Sequence, residues 1–162
     1  MFRLAEDQLN LGIECYDKGD YKKAIEWFEK AAAQGLAEAQ YKLGVCYDHG
    51  YGVEQDYALA AEWYRKAAEQ GHTDAQQNSG YRYHRGEGFR QIFEVAAEWF
   101  KKSAEQGNAK AQYDLGFCYE HGYGVLQGYA LAAEWYRKAA EQGHVEAQER
   151  LGLLFSKLNK IK

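Results

Sequence analysis

Few side chains in this chain could do covalent or metal chemistry, and their spacing argues against it. A nucleophilic enzyme needs a Ser, Thr or Cys beside a base. Ser79, Ser103, Ser156 and Thr73 are the only aliphatic hydroxyls, and none sits in a strand-to-helix elbow, because no strand-like alternation is visible. The histidines are His49, His72, His84, His121 and His144, and the cysteines Cys15, Cys46 and Cys118. No His-x-x-x-His or Cys-x-x-Cys pair among them sets up a zinc site. The Gly-x-Gly loops follow no strand, so they are not phosphate cradles. Asp48 and Glu120 are the carboxylates one would pair for acid–base work, but they stand in matching places of a repeat and read as a solvated face. The expectation is no enzyme, no cofactor and no metal.

The elements that carry these residues follow from composition and period. The chain has 162 residues, 46% hydrophobic and 27% charged, with no Pro. That is a folded chain rather than a disordered one. A net charge of −4 argues against nucleic acid, whose phosphates need a positive footprint. No apolar run approaches the roughly 18 residues of a membrane span. Acids fall within the first residues, where a signal peptide needs a basic start and an apolar stretch. The expected location is the cytoplasm, with export behind a removed signal left open.

Trp27, Trp63, Trp99 and Trp135 recur every 36 residues, and so do Gly35, Gly71, Gly107 and Gly143. A fixed period of this length marks a repeat architecture. Each unit reads as two helices. Ala39, Leu43 and Tyr47 give the first a helical stripe, and Ala60, Trp63, Tyr64, Ala67 and Ala68 give the second its buried face. Asp56 suits the N-cap of the second helix, and Gly71 its end. Gly44 lies inside a helix, where it costs about 1 kcal/mol against Ala. Its return at Gly80, Gly116 and Gly152 predicts close approach of a neighbouring helix. Cys46 and Cys118 share one slot two repeats apart and are expected to be small buried thiols. The fold class expected is all-α, a solenoid of about four hairpins plus a C-terminal capping helix. It is read as one domain, 1–162, with repeats at about 3–36, 37–72, 73–108 and 109–144 and a cap at 145–159.

The strings Ala39-Gln40-Tyr41-Lys42-Leu43-Gly44, Gly50-Tyr51-Gly52-Val53 and Trp63-Tyr64-Arg65-Lys66-Ala67-Ala68-Glu69-Gln70-Gly71 resemble the Sel-1-like repeat. The shorter opening unit, with Leu11-Gly12, Gly19-Asp20-Tyr21 and Phe28, resembles its relative, the tetratricopeptide repeat. The resemblance covers nearly the whole chain. It implies a right-handed superhelix whose first helices line a concave groove, and adaptor work on proteins or peptides without chemistry. Glu54, Arg90 and Leu126 stand where the family often carries Pro. Cysteine-rich members pair one Cys in each helix of a repeat. Here Ala67, Ala68, Ala139 and Ala140 occupy the second place, so the resemblance implies free thiols.

The third repeat departs from the others. Residues 37–72 and 109–144 match at 30 of 36 places, whereas 77–95 agrees with 41–59 at only 5 of 19, so divergence is confined to one helix and its loop. By the resemblance, Tyr41, Val45, Asp48 and His49 face the groove, and Tyr113, Phe117 and Glu120 do so two repeats on. In repeat three this stripe becomes Gln77, Tyr81, His84 and Arg85, with Asn78, Arg82, Phe89, Arg90 and Ile92 also new. These are the expected partner-binding residues. The segment's charge turns from −2 to +1, giving a basic, aromatic patch between acidic neighbours. It suits a protein or peptide bearing a carboxylate, whose binding is expected to strengthen as pH falls toward 6 through His84. The alternative is a weak homodimer through Phe89, Ile92 and Phe93, with no foreign ligand. Two changes also cost the repeat its own packing. Asp56 becomes Ile92, which loses a cap worth about 1 kcal/mol. Leu43 and Leu115 become Ser79. Chemical denaturation of Ser79→Leu should therefore show a gain of about 1–3 kcal/mol if the slot is still buried.

Overall fold

The computed structural model describes residues 2–161. Among them are nine helices and no strand: α1 (Phe2–Asp17), α2 (Tyr21–Ala33), α3 (Ala37–His49), α4 (Tyr57–Glu69), α5 (Thr73–Arg85), α6 (Phe93–Glu105), α7 (Ala109–His121), α8 (Tyr129–Glu141) and α9 (Val145–Ile161). The all-α expectation and the two-helix repeat hold. The chain forms two compact units. The first runs up to Ser79 and includes Glu87–Arg90; the second comprises Gly80–Gly86 and everything from Gln91 onward.

In the first unit α1 packs on α2, α2 on α3 and α3 on α4; in the second α6, α7, α8 and α9 pack in chain order. Asp20 and Asp56 cap α2 and α4 by accepting from the backbone N–H groups of Lys23 and Leu59. Ile92 precedes α6 with no such bond, as its side chain predicts. Asn108 does the same work for α7, accepting from Ala111. His72 and His144 cap α5 and α9 through Nδ1, each accepting an N–H at 3.2 Å. This is what the regular spacing of those histidines is for.

The recurring glutamines tie hairpins together. The Nε2 groups of Gln76, Gln112 and Gln148 donate to the carbonyls of Ala68, Ala104 and Ala140. Those carbonyls sit in the last turn of a helix and also accept the N–H of Gly71, Gly107 and Gly143, so each glutamine adds a second hydrogen bond to the same oxygen. Each second-type helix also places a lysine over its Trp, at 4.2–4.8 Å for the pairs Lys30–Trp27, Lys66–Trp63, Lys102–Trp99 and Lys138–Trp135.

The helical glycines do meet a neighbour. A Cβ on Gly12, Gly44, Gly80 or Gly116 would lie 2.6–2.7 Å from the ring of Phe28, Tyr64, Phe100 or Tyr136, on the other helix of the same hairpin. Real Cβ atoms do not come so close, and the rings are buried, so they cannot swing away. Gly152 corrects the periodic expectation. Nothing lies within 4 Å of its Cβ position, because no second-type helix follows α9 among the described residues. The loop glycine Gly124 serves the next level of packing. Its φ is +70°, and a Cβ there would sit 2.2 Å from the Phe93 carbonyl oxygen, so only Gly lets this loop close on the start of α6.

The two helical glycines give opposite predictions for one substitution. Gly116→Ala should lower stability by about 1–3 kcal/mol in chemical denaturation, because the new methyl overpacks a buried ring. Gly152→Ala should raise stability by roughly 0.5–1 kcal/mol from helix propensity alone. Equal effects at both sites would contradict the packing role.

Candidate functional site

Building the groove stripe from its side chains changes the sequence picture at three places. The first is the acids. Asp48 and Glu120 are not a solvated face; both are buried. The Tyr64 hydroxyl donates to Asp48 at 3.2 Å and the Tyr136 hydroxyl to Glu120 at 2.7 Å. Each phenol belongs to the ring that covers the helical Gly of that hairpin. Glu120 is further held by Arg150 of α9, at 3.1 Å, and by Lys157, at 3.6 Å. Burial pushes the Glu120 carboxyl up, but the Tyr136 hydroxyl and the Arg150 guanidinium outweigh it and hold the pKa below the usual 4.5.

The second place is Arg82. Sequence reasoning offered it to a partner, yet it is only 5% exposed. It takes the slot that Cys46 and Cys118 fill in the neighbouring repeats. Those two thiols are buried as expected, and burial pushes them up to about 11 and about 12.

The third place is His84, which stands in the slot of Asp48 and Glu120. Its ring lies 5.2 Å from Phe93, 5.4 Å from Tyr123, 6.3 Å from Phe117 and 6.4 Å from Phe100. Phe100 replaces Tyr64 and Tyr136, so the acid and the phenol that would bond it are lost together. The first hairpin has the same arrangement. Tyr16 lies 5.1 Å from Tyr21, 5.9 Å from Tyr51 and 6.4 Å from Phe28. Hairpins one and three thus close with rings, and hairpins two and four with a buried acid and a phenol. Burial, and then Arg85, hold the His84 pKa below 6.5. The charged form therefore develops at lower pH than in an ordinary histidine.

Of the predicted residues, Tyr81, His84, Arg85, Tyr113 and Phe117 come together in the second unit. They line a cleft of about 240 Å³ between α5, α6 and α7, joined by Phe100 and Asp114. Arg85 lies 5.6 Å over the Tyr81 ring, and both are exposed. Sequence reasoning missed Phe100 and Asp114. The Tyr-to-Phe change at the ring slot was the available signal for the first.

The others lie elsewhere. Tyr41 is stacked on His72 at 4.6 Å, just as Tyr113 is stacked on His144 at 4.8 Å. His72 in turn donates from Nε2 to Glu38 at 2.6 Å. Val45 is half-buried, and its carbonyl accepts from His49, whose ring stacks on Tyr51. Gln77 and Asn78 are half-buried, and Asn78 donates to the Asp74 carbonyl. Phe89 is half-buried, Arg90 is exposed, and Ile92 is 37% exposed. Ser79 is fully buried, and its Oγ has no hydrogen-bond partner. Among the described residues no three His, Cys, Asp or Glu side chains are placed to hold a metal ion, and no helix is long and apolar enough to cross a membrane.

This geometry defines an all-α helical-repeat protein of the solenoid class. The chain belongs to the Sel1 repeat family, whose model matches residues 5–36, 37–72, 73–108 and 109–144. Sel1 repeat proteins are in general non-enzymatic protein-interaction scaffolds. The chain is similar in structure to a protective antigen of uropathogenic Escherichia coli with an SLR fold (TM-score 0.90, 44% identity, over 94% of this chain and 34% of the antigen). It is similar also to a Sel1 repeat protein of Oxalobacter formigenes (TM-score 0.88, 38% identity, over 95% of this chain and 61% of that one). Among curated proteins, 42 residues are 48% identical to the DAP3-binding cell death enhancer 1 of Rattus norvegicus, spanning 26% of this chain and 8% of that protein.

The acid–phenol pair gives a pH prediction. A carboxyl whose folded pKa lies below its unfolded value contributes stability above the unfolded pKa and loses it as pH falls through the folded one. Glu120 should therefore add to acid sensitivity below about pH 4.5. Glu120→Gln should be less stable than the parent at pH 7. It should also lose less stability between pH 4.5 and the acid transition, as followed by denaturant titration at each pH. Parallel losses in parent and variant would contradict the assignment.

Proposed function

We propose that this chain is a non-enzymatic scaffold that binds a protein or peptide segment in the groove centred on its third repeat. The observation that carries the reading is the cleft of α5, α6 and α7, with exposed Tyr81 and Arg85 at its mouth and the aromatic wall of Phe100, Tyr113 and Phe117 behind them. A cleft that is mostly apolar with a few convergent polar groups is the usual form of a binding site. Tyr and Arg are the side chains that most often dominate binding energy.

The chemistry of the occupant follows from the lining. Arg85 can fork two hydrogen bonds to a carboxylate, which Lys could not match. The ring wall takes an apolar anchor. Asp114 repels a uniformly acidic segment, so the carboxylate belongs at the Arg85 side and the anchor between the rings. The segment is therefore amphipathic, with one acid next to a large apolar residue. A relative whose name records the binding of another protein is in keeping with this. The self-association reading through Phe89, Ile92 and Phe93 is less favoured, because the Phe93 ring is already stacked on Tyr123 at 4.9 Å.

Selection of displayed peptides on the intact chain should yield sequences with that acid–apolar pairing. For a selected peptide, Arg85→Ala and Tyr81→Ala should each cost over about 1 kcal/mol of affinity by calorimetry, while Lys66→Ala on α4 should cost little. Salt should weaken binding only modestly, since one or two ion pairs are involved. Unchanged affinity in both cleft variants would end this reading.

A further inference from the structure

The cleft beside α5 has a filled counterpart one repeat further on. Arg150 of α9 stands 36 residues after Asp114, and it reaches back to α7. Its Nε donates to Glu120 at 3.1 Å, a terminal nitrogen lies 3.3 Å from His121, and the guanidinium lies 5.4 Å over the Phe117 ring. Phe117, Glu120 and His121 correspond, repeat for repeat, to Tyr81, His84 and Arg85, which form the α5 wall of the cleft. One slot thus recurs in both repeats. In the fourth a long cationic side chain fills it. In the third the same position carries Asp114, a short acid, and the cleft of about 240 Å³ stands open. The charges have also changed sides. The earlier helix carries an acid at Glu120 but a base at Arg85, and the later helix a base at Arg150 but an acid at Asp114.

We propose that the segment bound in this cleft carries an arginine as well as an acid, and that its guanidinium pairs with Asp114. The inference rests on the peptide-binding reading above and extends it from one charge to two. A base on the α5 wall and an acid on the α7 wall oppose any segment of uniform charge, because each wall selects the opposite sign. The acid belongs at Arg85, the arginine at Asp114, and the apolar anchor against Phe100, Tyr113 and Phe117.

Arginine is favoured over lysine for the reason that Arg150 makes visible. A planar guanidinium pairs with a carboxylate and lies on a ring in one pose, which a compact ammonium cannot do. Arg150 does both, at Glu120 and at Phe117. On the α7 wall the rings of Tyr113 and Phe117, 6.4 Å apart, offer a similar surface next to Asp114. Opposite charges on facing walls also fix the direction in which a bound segment runs.

Selection of a displayed library of random linear peptides on the intact chain tests this. It should enrich sequences with an acid and an arginine on either side of a large apolar residue. For one such peptide, replacing its arginine by glutamine should weaken binding to the parent by about tenfold in calorimetry. The same replacement should change nothing on Asp114→Asn. Asp114→Arg should abolish binding, and exchanging the peptide's arginine for glutamate should restore it. Rebuilding the fourth repeat's clamp tests the slot without a ligand. His84→Glu combined with Asp114→Arg should raise the denaturation midpoint above that of either single variant and close the cleft to the peptide. The inference fails, and the binding reading stands, if Arg85→Ala loses affinity while the peptide's arginine and Asp114 can each be removed without loss. Enrichment of peptides that lack arginine overturns it equally, as does a double variant no more stable than its singles. Both readings fail if nothing is enriched, or if Arg85→Ala, Tyr81→Ala and Asp114→Asn all bind as tightly as the parent.

Discussion

The contact between a helical glycine and an aromatic ring sixteen or twenty residues later is the constraint on which each hairpin depends. A Cβ at Gly12, Gly44, Gly80 or Gly116 would overlap Phe28, Tyr64, Phe100 or Tyr136, so the two helices approach until the ring lies on bare backbone. That approach brings the alanines of the second helix against the first and makes a core from small residues. Ala24, Ala39, Ala60, Ala67, Ala96, Ala111, Ala132 and Ala139 are all fully buried. The glycines cost helix propensity, about 1 kcal/mol each. The buried ring offsets that cost, since an aromatic side chain removes the largest apolar area from water that one residue can.

Because the ring is fixed, whatever stands one turn further along the first helix must satisfy the ring's outer end. Tyr64 and Tyr136 carry a hydroxyl there, and Asp48 and Glu120 accept its hydrogen bond. Phe28 and Phe100 carry none, and Tyr16 and His84 pack as rings instead. The pairs change together because an unmatched buried carboxylate or phenol would cost about 1–3 kcal/mol. The third repeat is thus built on the plan of the first. Its own novelty lies outside that plan, in exposed Tyr81 and Arg85, in buried Arg82, and in a Ser79 hydroxyl with no partner.

The period, the helix pairs, the caps at Asp56 and the missing cap at Ile92 were legible because they depend on local spacing. The close approach at the glycines was legible too, except at Gly152, where no covering ring lies among the described residues. The burial of Asp48 and Glu120 was not legible from residue type, which assigns carboxylates to water. Their partners are sixteen residues away on another helix, and only the joint change of Asp48, His84 and Glu120 with Tyr64, Phe100 and Tyr136 encodes the link. Arg82 was misplaced for a similar reason. It follows Tyr81 in a charged, divergent stretch, yet it occupies a core slot that its neighbours fill with Cys. Asp114 escaped notice because it lies beside the groove stripe rather than on it, and only the packing of α7 turns it into the cleft.

The account's central claim is that recognition belongs to the first-helix side of repeat three, with the second helices serving as frame. Amide chemical-shift mapping of the intact, isotope-labelled chain with a selected peptide tests this most directly. The account predicts the largest changes at Tyr81, Arg85, Tyr113, Asp114 and Phe117, with small ones at Trp63, Trp99 and Trp135. A footprint centred on the Trp-bearing faces of α4, α6 and α8 would contradict it.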